Sequence, residues 1–205
     1  MKYMGSKARL SKDLAPVINN IIKENNIKIY IEPFVGGANM IQHIQSENKI
    51  GYDNNRYLIS MWNDIKNGWM PPKEMSKELY LDIKDNKTEY EESLVSIAGF
   101  CATYNAKWFG GYAGKVKTKI GTIRDYYDES VRNILKQKEL LLDVKFINDT
   151  FENIEIKNAV IYCDPPYENT TQYGTSKGFN HQLFWSKVRD WSLNNIVLVS
   201  EYNAP

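Results

Sequence analysis

Apolar runs alternate with helix-period patterns along most of the chain. Short runs rich in β-branched and aromatic residues predict five strands, at residues 28–32, 49–52, 144–147, 159–163 and 196–199. Apolar residues at helical spacing predict helices at residues 11–23, 40–45, 55–66 and 181–193, with Ser11 as the N-cap of the first. We therefore predict an α/β fold with a Rossmann-like sheet and helices on both of its faces.

The middle of the chain has a different pattern. Met70-Pro71-Pro72 interrupts the alternation, and helical patterns follow at residues 73–85, 89–103 and 125–142. No run in this part predicts a buried strand. We therefore predict a small helical insert at residues 69–142, between two parts of one sheet domain formed by residues 1–68 and 143–205.

Composition limits the classes of partner. The 205 residues carry a net charge of +1, so a nucleic-acid partner needs a local basic patch. Cys101 and Cys163 form no disulfide framework or metal-binding spacing, and we expect no metal ion. The sequence has no signal peptide or long apolar segment, so we expect a cytoplasmic protein without a membrane partner.

The strongest chemical signal follows the strand at residues 159–163, which ends in Asp164-Pro165-Pro166-Tyr167. Ligands of open α/β sheets bind at the carboxyl ends of the strands. The two prolines fix the backbone, and Pro165 offers a carbonyl without an N–H. A carboxylate, a carbonyl and an aromatic ring suit a planar base that carries an exocyclic amine. The alternative is a strand end with a proline-rich turn.

A glycine-containing turn follows the first strand as Glu32-Pro33-Phe34-Val35-Gly36-Gly37. Its glycines allow a ligand to approach the backbone closely. It matches neither the Gly-x-Gly-x-x-Gly fingerprint nor a P-loop, so dinucleotide and triphosphate binding are not indicated. Asp53 ends the second strand, where such folds hold ribose hydroxyls. Asp53 could instead cap the next helix, but the glycine turn favours the ribose role.

A basic and aromatic stretch lies in the insert. Residues 104–112 read Tyr-Asn-Ala-Lys-Trp-Phe-Gly-Gly-Tyr, and no acidic residue occurs between Tyr104 and Arg124. Aromatic and basic residues with glycines suit contact with phosphates and unstacked bases. The ordinary alternative is a solvated basic loop.

These motifs together resemble a known family. Asp-Pro-Pro-Tyr after an apolar strand resembles the catalytic motif of amino-methylating DNA methyltransferases, and the chain is similar to Dam-like (class alpha) N6-adenine methyltransferases. The resemblance extends from Lys2 to about Pro205, with one matching patch in the middle third. It implies a catalytic S-adenosylmethionine-binding domain at residues 1–68 and 143–205 and a target-recognition insert at residues 69–142.

The resemblance also implies roles for individual residues. The catalytic residues would be Asp164, Pro165, Pro166 and Tyr167. The S-adenosylmethionine site would comprise Tyr3, Lys7, Glu32, Pro33, Phe34, Gly36, Gly37, Asp53, Asp149, Phe151 and Asp164. The contacts with double-stranded DNA would come from Asn105, Lys107, Phe109, Lys115, Lys117, Lys119, Arg124 and, in the polar connection after the motif, Tyr173.

The expected reaction is methyl transfer from S-adenosylmethionine to N6 of a flipped-out adenine, in the cytoplasm of a bacterium or phage-infected host. Alternatives are N4-cytosine methylation, an RNA or protein amine methyltransferase, and a non-catalytic relative that only binds DNA or cofactor. Family members usually continue beyond the last strand with a helix and a hairpin. This sequence stops at Pro205, so we expect that the fold closes differently, that a dimer or a partner covers the edge of the sheet, or that the chain is a truncated form.

Overall fold

The structure is a computed structural model that describes residues 1–167 and 178–201. Its helices are α1 (Ser11–Glu24), α2 (Arg56–Lys66), α3 (Lys77–Asp85), α4 (Glu92–Cys101), α5 (Tyr126–Lys138) and α6 (His181–Ser192). Its strands are β1 (Ile29–Glu32), β2 (Asn48–Asp53), β3 (Lys115–Lys117), β4 (Ile123–Asp125), β5 (Val144–Asn148), β6 (Ala159–Cys163) and β7 (Ile196–Val199).

The chain forms two compact units, each built from separated segments. The sheet unit comprises residues 7–55 and 143–205, and the helical unit comprises residues 1–6 and 56–142. Helix α2 belongs to the helical unit because it packs on α4. The predicted functional division at residue 69 concerns target recognition and stays a prediction.

The sheet unit contains a five-stranded sheet in the order β5-β2-β1-β6-β7. All neighbouring strands are parallel, and Ile31 of β1 pairs with Ile50 of β2 and Ile161 of β6. Every residue of the interior strand β6 is buried, as expected for a strand covered on both faces. The predicted α/β fold and its five strands are confirmed.

The core on one face of the sheet is apolar and aromatic. Phe184 and Trp191 of α6 pack there with Ile31, Ile161 and Cys163. The Trp191 indole donates a hydrogen bond to the Ile154 carbonyl at 3.0 Å, which satisfies its buried N–H. Helix α6 begins at His181 because the Asn180 side chain accepts from the Leu183 N–H at 2.9 Å.

The helical unit has its own core, in which α4 packs against α2, α3 and α5. Trp62, Tyr80 and Ile97 are among its fully buried side chains. Strands β3 and β4 add a short antiparallel hairpin that the sequence pattern did not indicate. Neither strand contains a buried residue, so the hairpin lacks the alternation by which strands are predicted.

Several predicted helix limits were wrong. Ser11 is the first residue of α1 and not its N-cap, and its hydroxyl donates to the Ala8 carbonyl at 3.1 Å. Residues 40–45 contain only a 3₁₀ turn, Ile41–His43. Helix α3 begins after its N-cap Ser76, which accepts from the Leu79 N–H at 3.0 Å, rather than at residue 73. Among the described residues, no helix has the length and apolar character required to cross a membrane.

Candidate active site

Polar side chains meet at the carboxyl edge of the parallel sheet. Glu32 ends β1 and Asp53 ends β2, while Asp164 follows β6 and Ser200 follows β7. Because parallel strands end at the same edge, the fold brings together residues from both ends of the sequence. This is the position that the sequence predicted for a ligand.

Asp164 forms an ion pair with Lys7 in this edge. Lys7 Nζ lies 2.6 Å from Asp164 Oδ1, and the two side chains are only 14% and 20% exposed. The same ammonium lies 4.6 Å from the centre of the Tyr167 ring, within the range of a cation–π contact. Asp164 and Tyr167 therefore form one site that accepts an N–H donor beside an aromatic ring.

Burial and Lys7 act on the Asp164 carboxyl in opposite directions. Burial raises the pKa of Asp164 above its usual range, and the hydrogen bond and charge of Lys7 offset part of that rise. Burial would lower the pKa of Lys7, but its hydrogen bonds to Asp164 and Tyr167 raise that pKa overall. Each group thus favours the charged form of the other.

Tyr167 is held from its far end by the neighbouring strand. Its hydroxyl lies 2.7 Å from Ser200 Oγ, and the Ser200 N–H donates to the Cys163 carbonyl at 2.9 Å. The end of β7 therefore positions the tyrosine that follows β6. No motif in the sequence indicated the hydrogen bond between Tyr167 and Ser200.

Glu32 is a second buried carboxyl at this edge, with an exposed fraction of 3%. The Tyr30 hydroxyl donates to Glu32 Oε1 at 2.8 Å, since the two side chains lie on the same face of β1. Burial, with a further contribution from the charge of Asp164, raises the pKa of Glu32 to about 8. Sequence reasoning missed Tyr30, which no motif distinguished from core.

The glycine turn and the end of β2 are joined through Asp53. Asp53 Oδ2 accepts the Gly36 N–H at 3.0 Å, and Oδ1 accepts the Asn55 N–H at 2.9 Å. Burial raises the pKa of this carboxyl to about 6. Gly36 has a left-handed φ of 46°, a conformation that favours glycine.

The capping alternative for Asp53 does not hold in its simple form, because the Asn55 N–H that Asp53 accepts lies before α2 and not within it. The bond to Gly36 instead fixes the glycine turn. A carboxylate offers about four lone-pair positions, so each oxygen can still accept from a ribose hydroxyl. The acceptor positions of Asp53 are thus compatible with ribose hydroxyls, and its role toward a cofactor stays a prediction.

Two other predicted cofactor residues have internal partners. Phe151 is 6% exposed and packs against Phe34, Phe179 and Phe184 at ring distances of 5.5–5.9 Å. Asp149 Oδ1 accepts from the Thr150 N–H and from Asn153 Nδ2, which lowers the pKa of Asp149. Their roles toward a cofactor stay predictions.

Tyr3 lies in the helical unit, where its ring contacts Phe100 at 5.3 Å. In the predicted DNA-contact loop of the same unit, Asn105 and Phe109 have left-handed φ values of 55° and 44°. The Thr103 hydroxyl stabilises the loop by donating to the carbonyls of Lys107 and Gly111 at 3.0 Å. Strained backbone that is held in this way often marks a functional segment.

The Phe109 ring contacts Tyr80 at 5.4 Å, so part of its surface is used within the helical unit. Lys107, in contrast, is exposed. The predicted DNA contact Tyr173 lies outside the described residues. The DNA-contact roles of all three residues stay predictions.

The hairpin β3–β4 carries the four basic residues of the predicted DNA contact. Lys115 pairs with Glu74 at 3.0 Å, and Arg124 pairs with Glu129 through two contacts of 2.6 and 2.8 Å. Lys117 and Lys119 are exposed, and neither has an ion pair within the part of the chain that the structure describes. The sequence gap without acids therefore does not exclude acidic neighbours in the folded unit.

Comparisons with known proteins show the family of the chain. The family model of D12 class N6 adenine-specific DNA methyltransferases matches residues 3–196. The Type II methyltransferase M.MjaIII of Methanocaldococcus jannaschii is 26% identical over 210 residues, covering 86% of this chain and 72% of that protein. The DNA adenine methylase of Vibrio cholerae is 24% identical over 200 residues, covering 88% and 69%. The modification methylase StsI of Streptococcus sanguinis is 23% identical over 224 residues, covering 96% and 32%.

Proposed function

Since the chain belongs to the D12 class N6 adenine-specific DNA methyltransferases, we propose that it transfers a methyl group from S-adenosylmethionine to N6 of an adenine flipped out of DNA. The observation that carries the proposal is the contact of Lys7 with Asp164 and Tyr167. Lys7 Nζ lies 2.6 Å from Asp164 Oδ1 and 4.6 Å from the centre of the Tyr167 ring. The exocyclic amine of a stacked adenine requires these same two groups.

The chain has to make a poor nucleophile reactive. The lone pair of an exocyclic amine is delocalised into the base, and hydrogen bonds from both N–H groups to acceptors favour a pyramidal nitrogen. Asp164 and the Pro165 carbonyl are the proposed acceptors, and the proline-fixed backbone holds them in place. Catalysis then consists mainly of positioning and electrostatic stabilisation.

When bound, S-adenosylmethionine would supply the methyl group from its sulfonium, so that an N–C bond replaces the S–C bond and the electron pair stays on sulfur. Asp164 would accept the proton that the nitrogen then loses. We assign the ribose hydroxyls to Asp53 and the close backbone approach to the turn at Gly36. Binding measured by calorimetry should weaken by about 1–3 kcal/mol in Asp53→Ala, the scale of a lost hydrogen bond to a charged group.

The DNA has to present the base outside its stack, because N6 inside a duplex cannot reach Asp164. Tyr167 would stack on the extruded adenine. Cations of the hairpin β3–β4 would bind phosphates and contribute most of the sequence-independent affinity. The exposed Lys117 and Lys119 are the first candidates for those phosphate contacts.

Mass spectrometry of nucleosides tests the proposal. DNA incubated with the purified protein and S-adenosylmethionine should contain N6-methyladenine. N4-methylcytosine instead would favour the cytosine alternative, which uses the same acceptor geometry. Unmodified DNA, with binding of the methyl donor retained, would favour a non-catalytic relative.

A further inference from the structure

Lys7 occupies the position in which the proposed reaction needs the amine of the target base. Its ammonium contacts the only charged member of the Asp164–Pro165 acceptor pair and lies on the Tyr167 ring. The amine of the bound adenine would likewise be an N–H donor that contacts the carboxylate beside the aromatic ring. Since Lys7 contacts Oδ1 and lies on one face of the Tyr167 ring, an amine that binds this oxygen on that ring face competes with the ammonium for both.

We propose that Lys7 is a positioning residue that holds Asp164 and Tyr167 in the absence of a base and must leave before the target amine can bind. This inference rests on the proposed function and adds an order of events to it. Before a base binds, the ammonium compensates the buried carboxylate and fixes its orientation. A preorganised acceptor is thus ready without leaving an unpaired buried charge.

The fold confines this movement to the side chain. The Lys7 carbonyl accepts from the N–H groups of Leu10 and Ser11 at 2.9 and 2.7 Å, which fixes the backbone immediately before α1. The four-carbon side chain is flexible and can place its ammonium on another anion within reach. The carboxylate of a bound methyl donor is an anion of the required chemistry.

We therefore expect that binding of the methyl donor favours capture of the target base. A ligand that draws Lys7 away from Asp164 raises the fraction of molecules that can accept the amine. If the Lys7-occupied state predominates by about ten to one, apparent base capture without the donor is weaker by on the order of tenfold.

The experiment uses a duplex with 2-aminopurine at the target position, after the methylated sequence has been mapped. Its fluorescence reports capture of the base with and without S-adenosylhomocysteine, which retains the donor carboxylate. The wild-type protein should capture the base on the order of tenfold better with S-adenosylhomocysteine than without it. The Lys7→Met protein should capture the base without S-adenosylhomocysteine. Capture by the Lys7→Arg protein should still depend on S-adenosylhomocysteine, because arginine retains the cation.

Lys12→Met is the matched control, because Lys12 is an exposed lysine of α1. It should behave as the wild type does. The inference is overturned if Lys7→Met still requires S-adenosylhomocysteine, if Lys7→Arg becomes independent of it, or if the wild type never depends on it. Methylation of the unlabelled duplex by the same wild-type preparation distinguishes failure of the proposed function from failure of the inference about Lys7. If the duplex is methylated and one of these contrary results is obtained, only the role of Lys7 is overturned.

Discussion

Individual carboxyl groups at the sheet edge differ in charge because their surroundings differ. Asp164 has a cation at 2.6 Å, while Glu32 has the neutral Tyr30 hydroxyl and almost no solvent. Burial raises the pKa of Glu32 to about 8, so at neutral pH Glu32 is mainly protonated. A neutral Glu32 leaves Asp164, at the end of the neighbouring strand, as the charged acceptor that the proposed mechanism requires for the amine.

The protonation of Glu32 predicts a pH dependence of stability. Because the pKa rises from 4.5 in the unfolded chain to about 8 in the folded protein, only the folded state holds the proton between these values. Stability from this group is complete below pH 4.5 and is lost as the pH rises through about 8. Glu32→Gln, which imitates the neutral acid, should gain stability over the wild type by roughly 1.4 kcal/mol per pH unit within that window.

Urea unfolding at several pH values between about 5 and 7.5 measures this difference. Glu24→Gln, at an exposed position at the end of α1, should follow the wild type at every pH. Parallel wild-type and Glu32→Gln curves would mean that Glu32 is ionised in the folded protein.

Among the elements, the predictable ones are those with a buried face. The strands of the sheet follow apolar runs, and their predicted positions are confirmed. The hairpin β3–β4 has no buried position, and residues 40–45 form only a 3₁₀ turn although their apolar spacing suits a helix. Buried Met40, Ile41 and Ile44 belong to the core without a helix, so apolar spacing was insufficient there.

The hairpin predicts a graded salt dependence of DNA binding. Lys117 and Lys119 are exposed, whereas Lys115 and Arg124 have acidic partners that compete with phosphate. The double change Lys117→Gln and Lys119→Gln should reduce the slope of log K against log salt by roughly two. Replacing Lys115 and Arg124 by glutamine should reduce this slope less.

Fluorescence anisotropy of a labelled duplex over a salt series provides these slopes. Lys157→Gln, at an exposed lysine before β6, is the control and should retain the wild-type slope. An unchanged slope in the Lys117/Lys119 variant would make the hairpin a solvated element without a phosphate contact.

Gly51 of strand β2 lies against Val35 of the glycine turn, so the space at Gly51 determines where the turn can lie. A Cβ added at Gly51 would lie 2.7 Å from Val35 Cγ2. Gly51→Ala should therefore displace the turn, lower the free energy of unfolding by about 1–3 kcal/mol and weaken binding of S-adenosylmethionine. The double variant Gly51→Ala/Val35→Ala removes the clash and should recover part of both losses in thermal unfolding and calorimetry. If the double variant is worse than either single change, the turn is not positioned by this contact.

At the scale of the whole molecule, the site depends on contacts that sequence proximity cannot predict. Lys7 and Asp164 are 157 positions apart, and their pairing follows from the path of the chain and the position of β6 beside β1. Motif reasoning located Asp164, Tyr167, Asp53 and the glycine turn at one sheet edge, since each follows a strand. The sequence motif assigned Lys7 only to the cofactor site, because a motif identifies a residue but does not show which side chain it contacts in the fold.

The rate of methyl transfer in Asp164→Ala tests the central claim most directly. Incorporation of labelled methyl groups into a mapped duplex should fall by on the order of a hundredfold or more, the scale of losing one preorganised polar group at a reacting centre. DNA binding should remain near the wild-type level because phosphate contacts dominate affinity. Asp190→Ala, at an exposed carboxylate of α6, should methylate as the wild type does. An Asp164→Ala protein that methylates adenine at the wild-type rate would contradict the role of Asp164 as the acceptor of the target amine.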